Sequence, residues 1–527
     1  MNIKKNIILN PEFTNIDSNG VKNFFWPLKN SEINNFKNKF LIFLENYMRS
    51  KRDMDFLIMH IPYIRRDITN FYIAKKFSFF LSKNKIAKKK TYNELVDKII
   101  FKKKFNLPKD IDIILNGLRK RKRIFTKLKK IKNFFYTSNL SYIEKEKINK
   151  NHTITFSNNY LIDLQSKYLK KRINLRTSHF QDWFPSGKIK INKDTIKNNE
   201  KKLKKLILDT IKYLNNYGLN LNKNEKKYIS DLFVQWFSLT DFFIKELEKS
   251  KKFLPKKMWI GTSGVFYHRI FSYLVRKSGG IIYGFDHGMS TGCVKQNAKN
   301  ILELAHIDFF YTFSKYMKLA IKRNFIKNFV NKDFKKNNIL SVNTKHVKFY
   351  KKKNTLIKKD NVLYVPRVFT DHNIFVGDTY LYPDIMYYDW QIKLFNSLNS
   401  LNYKINIKPH PVSRPKFPKT LLNFHKFKLF KDPFMEVIKK FDLLIFDCIQ
   451  NTAFLEAMRT DTPMVFLNIK EYEIVKDVKD SIKKRCGYVD CKIKNNRVNI
   501  NRNLLAAAIG NSENLRKDKS FYNFYYQ

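Results

Sequence analysis

Short apolar runs alternate with longer amphipathic segments through the second half of the chain. The runs are rich in aliphatic and aromatic residues and end at polar, glycine or proline residues, a pattern typical of buried parallel strands. A first series of predicted strands lies at 258–264, 280–288 and 307–314. A second series lies at 361–366, 403–408, 427–430, 443–446 and 464–467. Helical periodicity separates the runs, as at 267–277 and 388–398, so the pattern predicts two parallel sheets covered by helices.

The order of these patterns divides the chain into five predicted regions. At 527 residues the chain is too long for one ordinary hydrophobic core. We predict an α/β protein whose two Rossmann-like domains face a cleft. The predicted regions are a helix-rich basic N-terminal region at 1–255, a first Rossmann-like core at 256–335, a linker at 336–360, a second Rossmann-like domain at 361–500 and a helical tail at 501–527.

The N-terminal region is predicted to contain at least one βα unit among its helices. The apolar run at 56–61 predicts a strand that Pro62 ends, followed by a helix at 67–81. Amphipathic periodicity predicts further helices at 31–48, 194–217 and 224–249.

The chain is strongly basic, with 104 Lys and Arg against 45 Asp and Glu and a net charge of +59. Such a charge is typical of proteins that bind nucleic acid or an anionic membrane. Lysine accompanies Asn, Ile, Phe and Tyr throughout, however, as expected when an A+T-rich genome biases codon choice, so part of the charge lies on solvated faces. For the densest segment, at 119–123, a solvated helix face is favoured over a nucleic-acid site, and a peripheral contact with an anionic membrane is the functional alternative.

Cysteine usage and hydropathy indicate the compartment. Four cysteines in a chain of this length are too few and too scattered for a disulfide framework, so we expect buried thiols. No apolar run approaches the length of a bilayer span, and the N-terminus has no hydrophobic region adequate for a signal peptide. We therefore expect a cytoplasmic protein, with peripheral association at the inner face of the cytoplasmic membrane as an option.

Candidate chemistry lies just after several of the predicted strands. His287 ends the run at 280–288, His410 follows the run at 403–408, and Asn451 and Thr452 lie between the run at 443–446 and a helix that opens at about 453. Ligands of open α/β sheets bind at the carboxyl edge of the strands, and a helix N-terminus suits a phosphate. These residues are therefore predicted to line a ligand site.

The two histidines are predicted to face each other across the cleft. Because imidazole titrates near neutrality, one histidine can accept the proton of an acceptor hydroxyl while the other donates to, or orients, a departing phosphate. Lys408 and Arg414 add positive charge beside His410. A structural turn histidine is an equal alternative for His287.

Three motifs together carry a family resemblance. They are a strand ending in His-Gly at 287–288, a strand ending in Lys-Pro-His-Pro at 408–411, and Asp-x-x-x-Asn-Thr-x-x-x-Glu-Ala-x-x-x-x-Thr-Pro at 447–463. This set resembles the GT-B-fold glycosyl- and glycerophosphate-transferases of bacterial surface polysaccharides. That group includes capsular Kdo transferases, bacterial sialyltransferases and CDP-glycerol glycerophosphotransferases. The resemblance covers about 258–470.

The resemblance implies roles for individual residues. It implies that His410 contacts the donor phosphate, that Asn451 and Thr452 bind the same phosphate, and that Glu456 hydrogen-bonds the donor ribose. His287 would be the candidate base. An exposed helix carboxylate is the structural alternative for Glu456.

Two positions depart from the family pattern. Asp461-Thr-Pro replaces the commoner Gly-Thr-Pro, and the Asn-Thr pair at 451–452 replaces Ser-Ser or Ser-Thr. Both departures concern the donor side, so the nucleotide base and the sugar stay open, with CMP- and CDP-linked donors among the candidates.

No metal or cofactor is expected beyond the nucleotide-activated donor itself. A helix N-terminus with histidine and lysine or arginine can stabilise the leaving phosphate without a metal. The Asp-x-Asp pairs at 53–55 and 110–112 stand where elements begin, where paired aspartate is common as capping.

The predicted function is transfer of a sugar from a nucleotide-activated donor to a glycan or lipid-linked acceptor, in the synthesis of a bacterial surface polysaccharide. Transfer of a polyol phosphate on the same scaffold is the alternative within enzymes. A non-catalytic basic protein that binds RNA or a membrane would explain the charge but not the two histidines after strands. No sequence signature of a specific nucleic-acid binder is present.

Overall fold

The structure is a computed structural model. It describes residues 28–49, 55–83, 94–116, 140–157, 159–169, 173–179, 182–184, 187–287, 292–295, 303–323, 335–342, 347–351, 357–358, 360–369, 382, 384–410, 427–495 and 497–526. Within these ranges, no helix has both the length and the apolar character needed to cross a bilayer.

Helices and strands alternate through most of the described chain. The α-helices are α1 (Asn30–Arg49), α2 (Asp55–Lys83), α3 (Glu94–Ile100), α4 (Lys109–Leu115), α5 (Tyr160–Tyr168), α6 (Lys193–Asn216), α7 (Lys223–Lys249), α8 (Phe266–Lys277), α9 (Lys315–Arg323), α10 (Asp384–Asn399), α11 (Phe434–Val437), α12 (Thr452–Ala457), α13 (Lys476–Arg485), α14 (Arg502–Leu515) and α15 (Ser520–Tyr526). The strands are β1 (His152–Thr155), β2 (Asn174–Thr177), β3 (Lys257–Ile260), β4 (Ile281–Phe285), β5 (Phe309–Thr312), β6 (Ile339–Ser341), β7 (Val362–Val365), β8 (Ile405–Ile407), β9 (Lys428–Leu429), β10 (Leu443–Phe446), β11 (Met464–Asn468), β12 (Gly487–Asp490), β13 (Lys492–Lys494) and β14 (Arg497–Asn499).

The first sheet has six parallel strands in the order β2-β1-β3-β4-β5-β6. This order reverses direction between β1 and β3, as in flavodoxin-like sheets. The sheet begins at His152, inside the region predicted as N-terminal and helix-rich, and the sequence pattern did not predict β1 or β2. Its last strand, β6, lies within the predicted linker at 336–360.

The second sheet also has six parallel strands, in the order β12-β11-β10-β7-β8-β9. Starting from β7, this is the strand order 3-2-1-4-5-6 of a dinucleotide-binding Rossmann sheet. The predicted strands at 361–366, 403–408, 443–446 and 464–467 are confirmed, and the one at 427–430 is reduced to the two residues of β9. The chain is therefore an α/β protein with two Rossmann-like domains, which is a GT-B-like architecture.

The predicted strand at 56–61 is wrong, because these residues belong to α2, a single helix of 29 residues with Pro62 inside it. Residues from Met59 to Thr69 are buried without a break. A helix buried on all sides gives a continuous apolar run, which periodicity cannot distinguish from a buried strand. The predicted βα unit of the N-terminal region is therefore absent at 56–81.

Helix α2 is anchored to α7 and to the first sheet. The Lys75 ammonium forms a buried ion pair with Glu225 of α7 at 2.5 Å, and the Trp236 indole N–H donates to Asp67 at 3.0 Å. The Tyr63 hydroxyl donates to the main-chain oxygen of Gly264 at 3.0 Å, in the loop that follows β3. The N-terminal helices thus support the carboxyl edge of the first sheet.

All four cysteines, at positions 293, 448, 486 and 491, are buried thiols outside any disulfide. The expectation of buried thiols is confirmed. Burial raises the pKa of Cys448 well above its ordinary value, and the negative charge of Glu471 adds to the effect. The Cys448 thiol is therefore neutral, and a buried neutral thiol is a poor nucleophile.

The C-terminal helix α15 joins the two halves of the molecule. It packs against α13 of the second domain and α9 of the first. The Tyr522 hydroxyl donates to the main-chain oxygen of Val347 at 2.6 Å, and the Tyr525 ring lies 6.2 Å from the ring of Phe313, just after β5. The end of the predicted helical tail, α15, thus lies at the interface between the domains, whereas α14 packs against β11 and β12 of the second sheet.

Candidate functional site

The strand orders place one topological switch point in each sheet. In the first sheet it lies between β1 and β3, and in the second between β7 and β10. Ligands of doubly wound sheets bind beyond the carboxyl ends of the strands at such a point, where the connections diverge to opposite faces and leave a crevice. The segments after these four strands therefore form the centre of the candidate site.

Asn159 holds together the switch point of the first sheet. Its side-chain oxygen accepts from Ile162 N–H at 2.9 Å and so caps α5. Its amide NH2 donates to the main-chain oxygen of Gly261 at 2.8 Å and to that of Asp286 at 3.2 Å. One side chain thus ties the loops after β1, β3 and β4 to each other.

Gly261 permits a close approach of two loops at the same switch point. Its N–H donates to the Ser157 hydroxyl at 3.1 Å. A Cβ at this position would lie 3.1 Å from the main-chain oxygen of Ser157 and 3.2 Å from the Asn159 amide nitrogen. A side chain at this position would therefore require the loops after β1 and β3 to move slightly apart.

Asp447, directly after β10, is the centre of a buried network at the switch point of the second sheet. Its carboxylate accepts from the hydroxyls of Tyr364 and Tyr387, the latter at 2.9 Å, and from the Trp390 indole N–H at 2.9 Å. Tyr364 lies in β7, and Tyr387 and Trp390 lie in α10. The Gln391 amide also donates to the Tyr364 hydroxyl, at 3.3 Å. The network therefore fixes α10 against both central strands.

Arg367, just after β7, adds a buried positive charge to this network. Its guanidinium lies 4.0 Å from the centre of the Tyr387 ring and 3.5 Å from the Glu471 carboxylate, with both side chains almost completely buried. It also donates to the main-chain oxygens of Val368 at 3.1 Å and Tyr382 at 3.0 Å. A buried ion pair is stable only with such additional hydrogen bonds.

Burial raises the pKa of Asp447 above its ordinary value. The donors Tyr364, Trp390 and Tyr387 and the charge of Arg367 offset part of this increase, because each stabilises the carboxylate. Burial and the charge of Asp447 also raise the pKa values of Tyr364 and Tyr387 well above the ordinary value. The two phenols therefore stay protonated and act as donors.

Asn451 and Thr452 lie where the sequence places them, between β10 and the first turn of α12. The Asn451 side-chain oxygen accepts from Ala453 N–H at 3.0 Å and caps the helix, and its amide NH2 lies 3.4 Å from the main-chain oxygen of Pro366. Asn451 therefore connects the ends of β7 and β10, a structural task that the sequence reading did not assign to it. Thr452 is half-buried and begins a helix of only six residues, so the helix dipole contributes less than a long helix would.

Glu456 is buried, so the alternative of an exposed helix carboxylate is wrong. Its charge acts on Arg459 and Tyr526. Burial is the largest influence on the Tyr526 pKa and raises it well above the ordinary value, and the negative charge of Glu456 adds to the increase. For Arg459, burial lowers the pKa, but Tyr160, Tyr526 and Glu456 together outweigh burial and raise it.

His410 and Lys408 follow β8, which neighbours the switch-point strand β7. His410 is exposed, and Lys408 is buried, with its N–H donating to the main-chain oxygen of Tyr364 at 3.0 Å. Both therefore lie one strand away from the centre of the site. Arg414 lies outside the described residues.

His287 follows β4, one strand away from the switch point of the first sheet, and is exposed. The preceding residue, Asp286, is buried, and its main-chain oxygen accepts from Asn159. His268, on α8, is buried and lies 2.8 Å from the main-chain oxygen of Thr262. Burial lowers the pKa of His268 to about 4, so it is a neutral structural histidine and a weak base.

The two carboxyl edges meet at Arg459 and Tyr526. Arg459, which follows α12, donates to the hydroxyl of Tyr160, the first residue of α5, at 3.2 Å. The Tyr526 hydroxyl donates to the main-chain oxygen of Leu455 in α12, and its ring lies 5.0 Å from the ring of Phe313. These contacts bring the ends of the first sheet against the helix that follows β10.

Sequence reasoning missed Asn159, Arg367 and the central role of Asp447. For Asn159 a signal existed, since a polar residue before a helical segment indicates a cap, but β1 is too short and polar to be recognised as a strand. Arg367 directly follows the predicted strand at 361–366. Asp447 was part of the quoted motif, but no local pattern connects it with Tyr387 or Trp390.

Among the described residues, no group of three or more histidine, cysteine, aspartate or glutamate side chains could hold a metal ion. Thr452 at the start of α12 and Lys408 after β8 are the polar groups at this edge that can approach an anionic ligand. Arg367 is completely buried and paired with Glu471, so its charge acts on such a ligand only from a distance.

Comparison with known proteins gives a likeness in fold only. No protein-family model and no curated protein matches the chain. The structure resembles a UDP-GlcNAc 2-epimerase from Methanocaldococcus jannaschii, solved with UDP-GlcNAc and UDP, with a TM-score of 0.34 and 13% identity over 53% of this chain and 74% of that one. It also resembles a UDP-N-acetylglucosamine 2-epimerase from Rickettsia bellii, with a TM-score of 0.36 and 12% identity over 71% of this chain and 92% of that one.

Proposed function

We propose that this protein transfers a sugar from a nucleotide-activated donor to a glycan or lipid-linked acceptor, in the synthesis of a bacterial surface polysaccharide. The observation that supports the proposal best is the pairing of two switch points, one per Rossmann-like sheet, whose edges meet at Arg459 and Tyr160. Transfer between two substrates needs two binding surfaces that converge on one reacting centre. Two facing carboxyl edges provide such surfaces.

The donor belongs on the second sheet in this proposal. The buried network around Asp447 and Arg367 fixes the ends of β7 and β10. Thr452 then lies at the helix start for the donor phosphate, and His410 and Lys408 approach from the neighbouring strand. Positively charged and hydrogen-bonding groups that are already fixed stabilise a leaving phosphate without further reorganisation.

The acceptor belongs on the first sheet, with His287 as the base. His287 is exposed after β4 and can therefore reach a bound hydroxyl. His268 is unsuited to this task because burial lowers its pKa to about 4.

Glu456 is proposed to hydrogen-bond the donor ribose while it balances the charge of Arg459. Its burial after one turn of α12 supports a structured role. The two tasks are compatible, because one carboxylate offers two oxygens and several lone pairs.

The experiment separates the two histidines. Nucleotide affinity is measured by isothermal titration with CMP, CDP, UDP and GDP, and transfer is measured in single-turnover reactions with the matching sugar or polyol donors. We expect His410→Ala to weaken nucleotide binding and transfer together, and His287→Ala to abolish transfer while nucleotide binding survives, as for a group that acts only in the transition state.

The controls distinguish transfer from other reactions of a nucleotide sugar. His152→Ala, a substitution at the amino end of β1, should leave both measurements unchanged. Reactions without an acceptor show whether the donor is isomerised or hydrolysed instead. If none of the nucleotides binds, or if donor is consumed equally without acceptor, the proposal of a transferase is wrong.

A further inference from the structure

A cavity of about 650 Å³ opens on the first sheet, away from the candidate site. Its lining includes Lys150, Asn174 and Lys257, which lie at or just before the starts of β1, β2 and β3. The ligand site described above lies beyond the opposite, carboxyl ends of the same strands. The cavity is therefore a separate feature of the fold.

Three aromatic side chains form the wall of this cavity, namely Trp259 of β3, Tyr283 of β4 and Tyr311 of β5. Trp259 and Tyr283 are register partners in the sheet. All three lie on the face of the sheet opposite α8, because they pack with the core cluster that excludes the α8 side chains. Cross-strand neighbours on one face are close enough to present a continuous surface.

Neighbouring rings hold this aromatic wall in place. The Tyr283 ring stacks on Phe309 with 5.3 Å between centroids, and the Tyr311 ring stacks on Phe285 at 5.0 Å. Trp259 packs against Phe285 at 4.7 Å. The rings are thus already ordered, so a ligand would lose little binding free energy in immobilising them.

The polar atoms of the same three residues have no hydrogen-bond partner among the residues that the structure describes. Trp259 is only 3% exposed, yet its indole N–H forms no hydrogen bond with any described residue, and the hydroxyls of Tyr283 and Tyr311 form none either. None of these three polar atoms is completely buried, and indole and phenol groups that a ligand buries usually acquire a hydrogen-bond partner. Here the cavity leaves room for a ligand to provide it.

The cavity also carries uncompensated positive charge. Lys150 and Lys257 are both exposed at its rim, and neither forms an ion pair within the described part of the chain. No acidic residue is among the described residues that line it. An anionic ligand is therefore favoured over a neutral or cationic one.

We infer that this cavity binds an acidic saccharide of two or three sugar units. The C–H face of a sugar ring fits against aromatic rings, its hydroxyls match the free indole and phenol groups, and a carboxylate or phosphate substituent can reach the lysines. The volume is in the range of pockets that enclose a ligand of this size. A nucleotide is less suited, because nucleotides bind these sheets beyond the carboxyl ends of the strands, whereas this cavity lies on one face of the sheet and extends to the amino ends of β1, β2 and β3.

The inference goes beyond the proposed transferase activity, since it requires neither donor nor transfer. The probe is trigalacturonate, with maltotriose as the neutral counterpart and inorganic phosphate and CMP as competitors. Binding is followed by titration calorimetry and by tryptophan fluorescence. We expect trigalacturonate to bind more tightly than maltotriose and to change the fluorescence of the wild-type protein.

Two variants locate the binding. Lys150→Gln/Lys257→Gln should weaken trigalacturonate binding by about tenfold or more, because it removes two charge-assisted contacts. Trp259→Phe keeps an aromatic ring in the core and should remove the fluorescence change. The matched control, Lys204→Gln/Lys205→Gln on the exposed face of α6, should change the affinity less than about twofold.

Several results would overturn the inference. The first is that trigalacturonate does not bind to the folded wild-type protein. Equal weakening by the α6 control would mean non-specific attraction to a basic surface. Full competition by phosphate would indicate a simple anion site, and competition by CMP would indicate the nucleotide site. Failure here leaves the transferase proposal untouched, because nucleotide binding and transfer are measured separately.

Discussion

The carboxyl edges of the two sheets are held together in different ways. At the first sheet, side chains bond to main-chain groups of neighbouring loops, as Asn159 does with Gly261 and Asp286. At the second sheet, side chains from β7 and α10 converge on the carboxylate of Asp447. Stabilisation is therefore distributed over several separate bonds at the first edge and concentrated on one buried group at the second.

This difference fits the proposal that the second sheet binds the donor and the first sheet binds the acceptor. A charged donor needs a surface whose dipoles are fixed before it binds, and a network around one buried carboxylate is rigid because every member depends on the others. Separate bonds to loop backbone leave more freedom for loops to adapt, which suits a larger acceptor. The comparison predicts unequal costs when single members of each edge are removed.

The largest effect is expected at Asp447. Asp447→Asn replaces an acceptor by an amide among three donors, leaving at least one buried donor without a partner, and should destabilise the protein by about 3 to 5 kcal/mol. Equilibrium urea unfolding measures the loss, with the exposed Asp480→Asn as the matched control. A loss no greater than that of the control would show that the second edge does not depend on its central carboxylate.

An intermediate effect is expected at the first edge when the pH falls. The His268 pKa of about 4 in the folded protein lies below its ordinary value of 6.5. The unfolded chain therefore binds the proton more readily, and stability decreases as the pH falls from 6.5 towards 4, by roughly 3 kcal/mol when the transition is complete.

Comparison with a variant isolates this histidine from the carboxyl groups that titrate nearby. His268→Gln retains a hydrogen-bond donor for the main-chain oxygen of Thr262 but cannot be protonated. The difference in Tm between the variant and the wild type, measured from pH 7 to pH 4, should shift in favour of the variant as the pH falls. A constant difference would mean that His268 is protonated equally in both states.

The smallest of the three effects is expected at Asn159. Asn159→Ala removes a helix cap and two hydrogen bonds to loop backbone, and should cost about 1 to 2 kcal/mol. Nucleotide affinity should stay unchanged, because the donor is assigned to the other sheet. Thermal unfolding and isothermal titration test both statements, with the N-cap variant Asn192→Ala on α6 as a control for the loss of a cap alone. A cost above that of Asp447→Asn would reverse the comparison between the edges.

The local sequence pattern was sufficient to predict the strands and helices in the alternating part of the chain. Apolar runs with polar ends predicted seven strands, because buried parallel strands have this sequence pattern wherever they occur. These strands are β3, β4, β5, β7, β8, β10 and β11, and the helices between them were predicted from their periodicity. The positions of Asn451 and Thr452 between β10 and α12 followed from the same pattern. The two-domain α/β fold class could therefore be predicted from the sequence alone.

Tertiary structure decided which strands are neighbours, and with this the centre of the candidate site. The sequence drew attention to His287 and His410, but the strand orders place both one strand away from the switch points. The Asp447 network joins residues up to 83 positions apart, and the run at 56–61 is part of a helix that is continuously buried from Met59 to Thr69. Periodicity reports only whether each residue is buried, whereas strand order, long-range hydrogen bonds and the choice between a buried helix and a buried strand depend on how the whole chain packs.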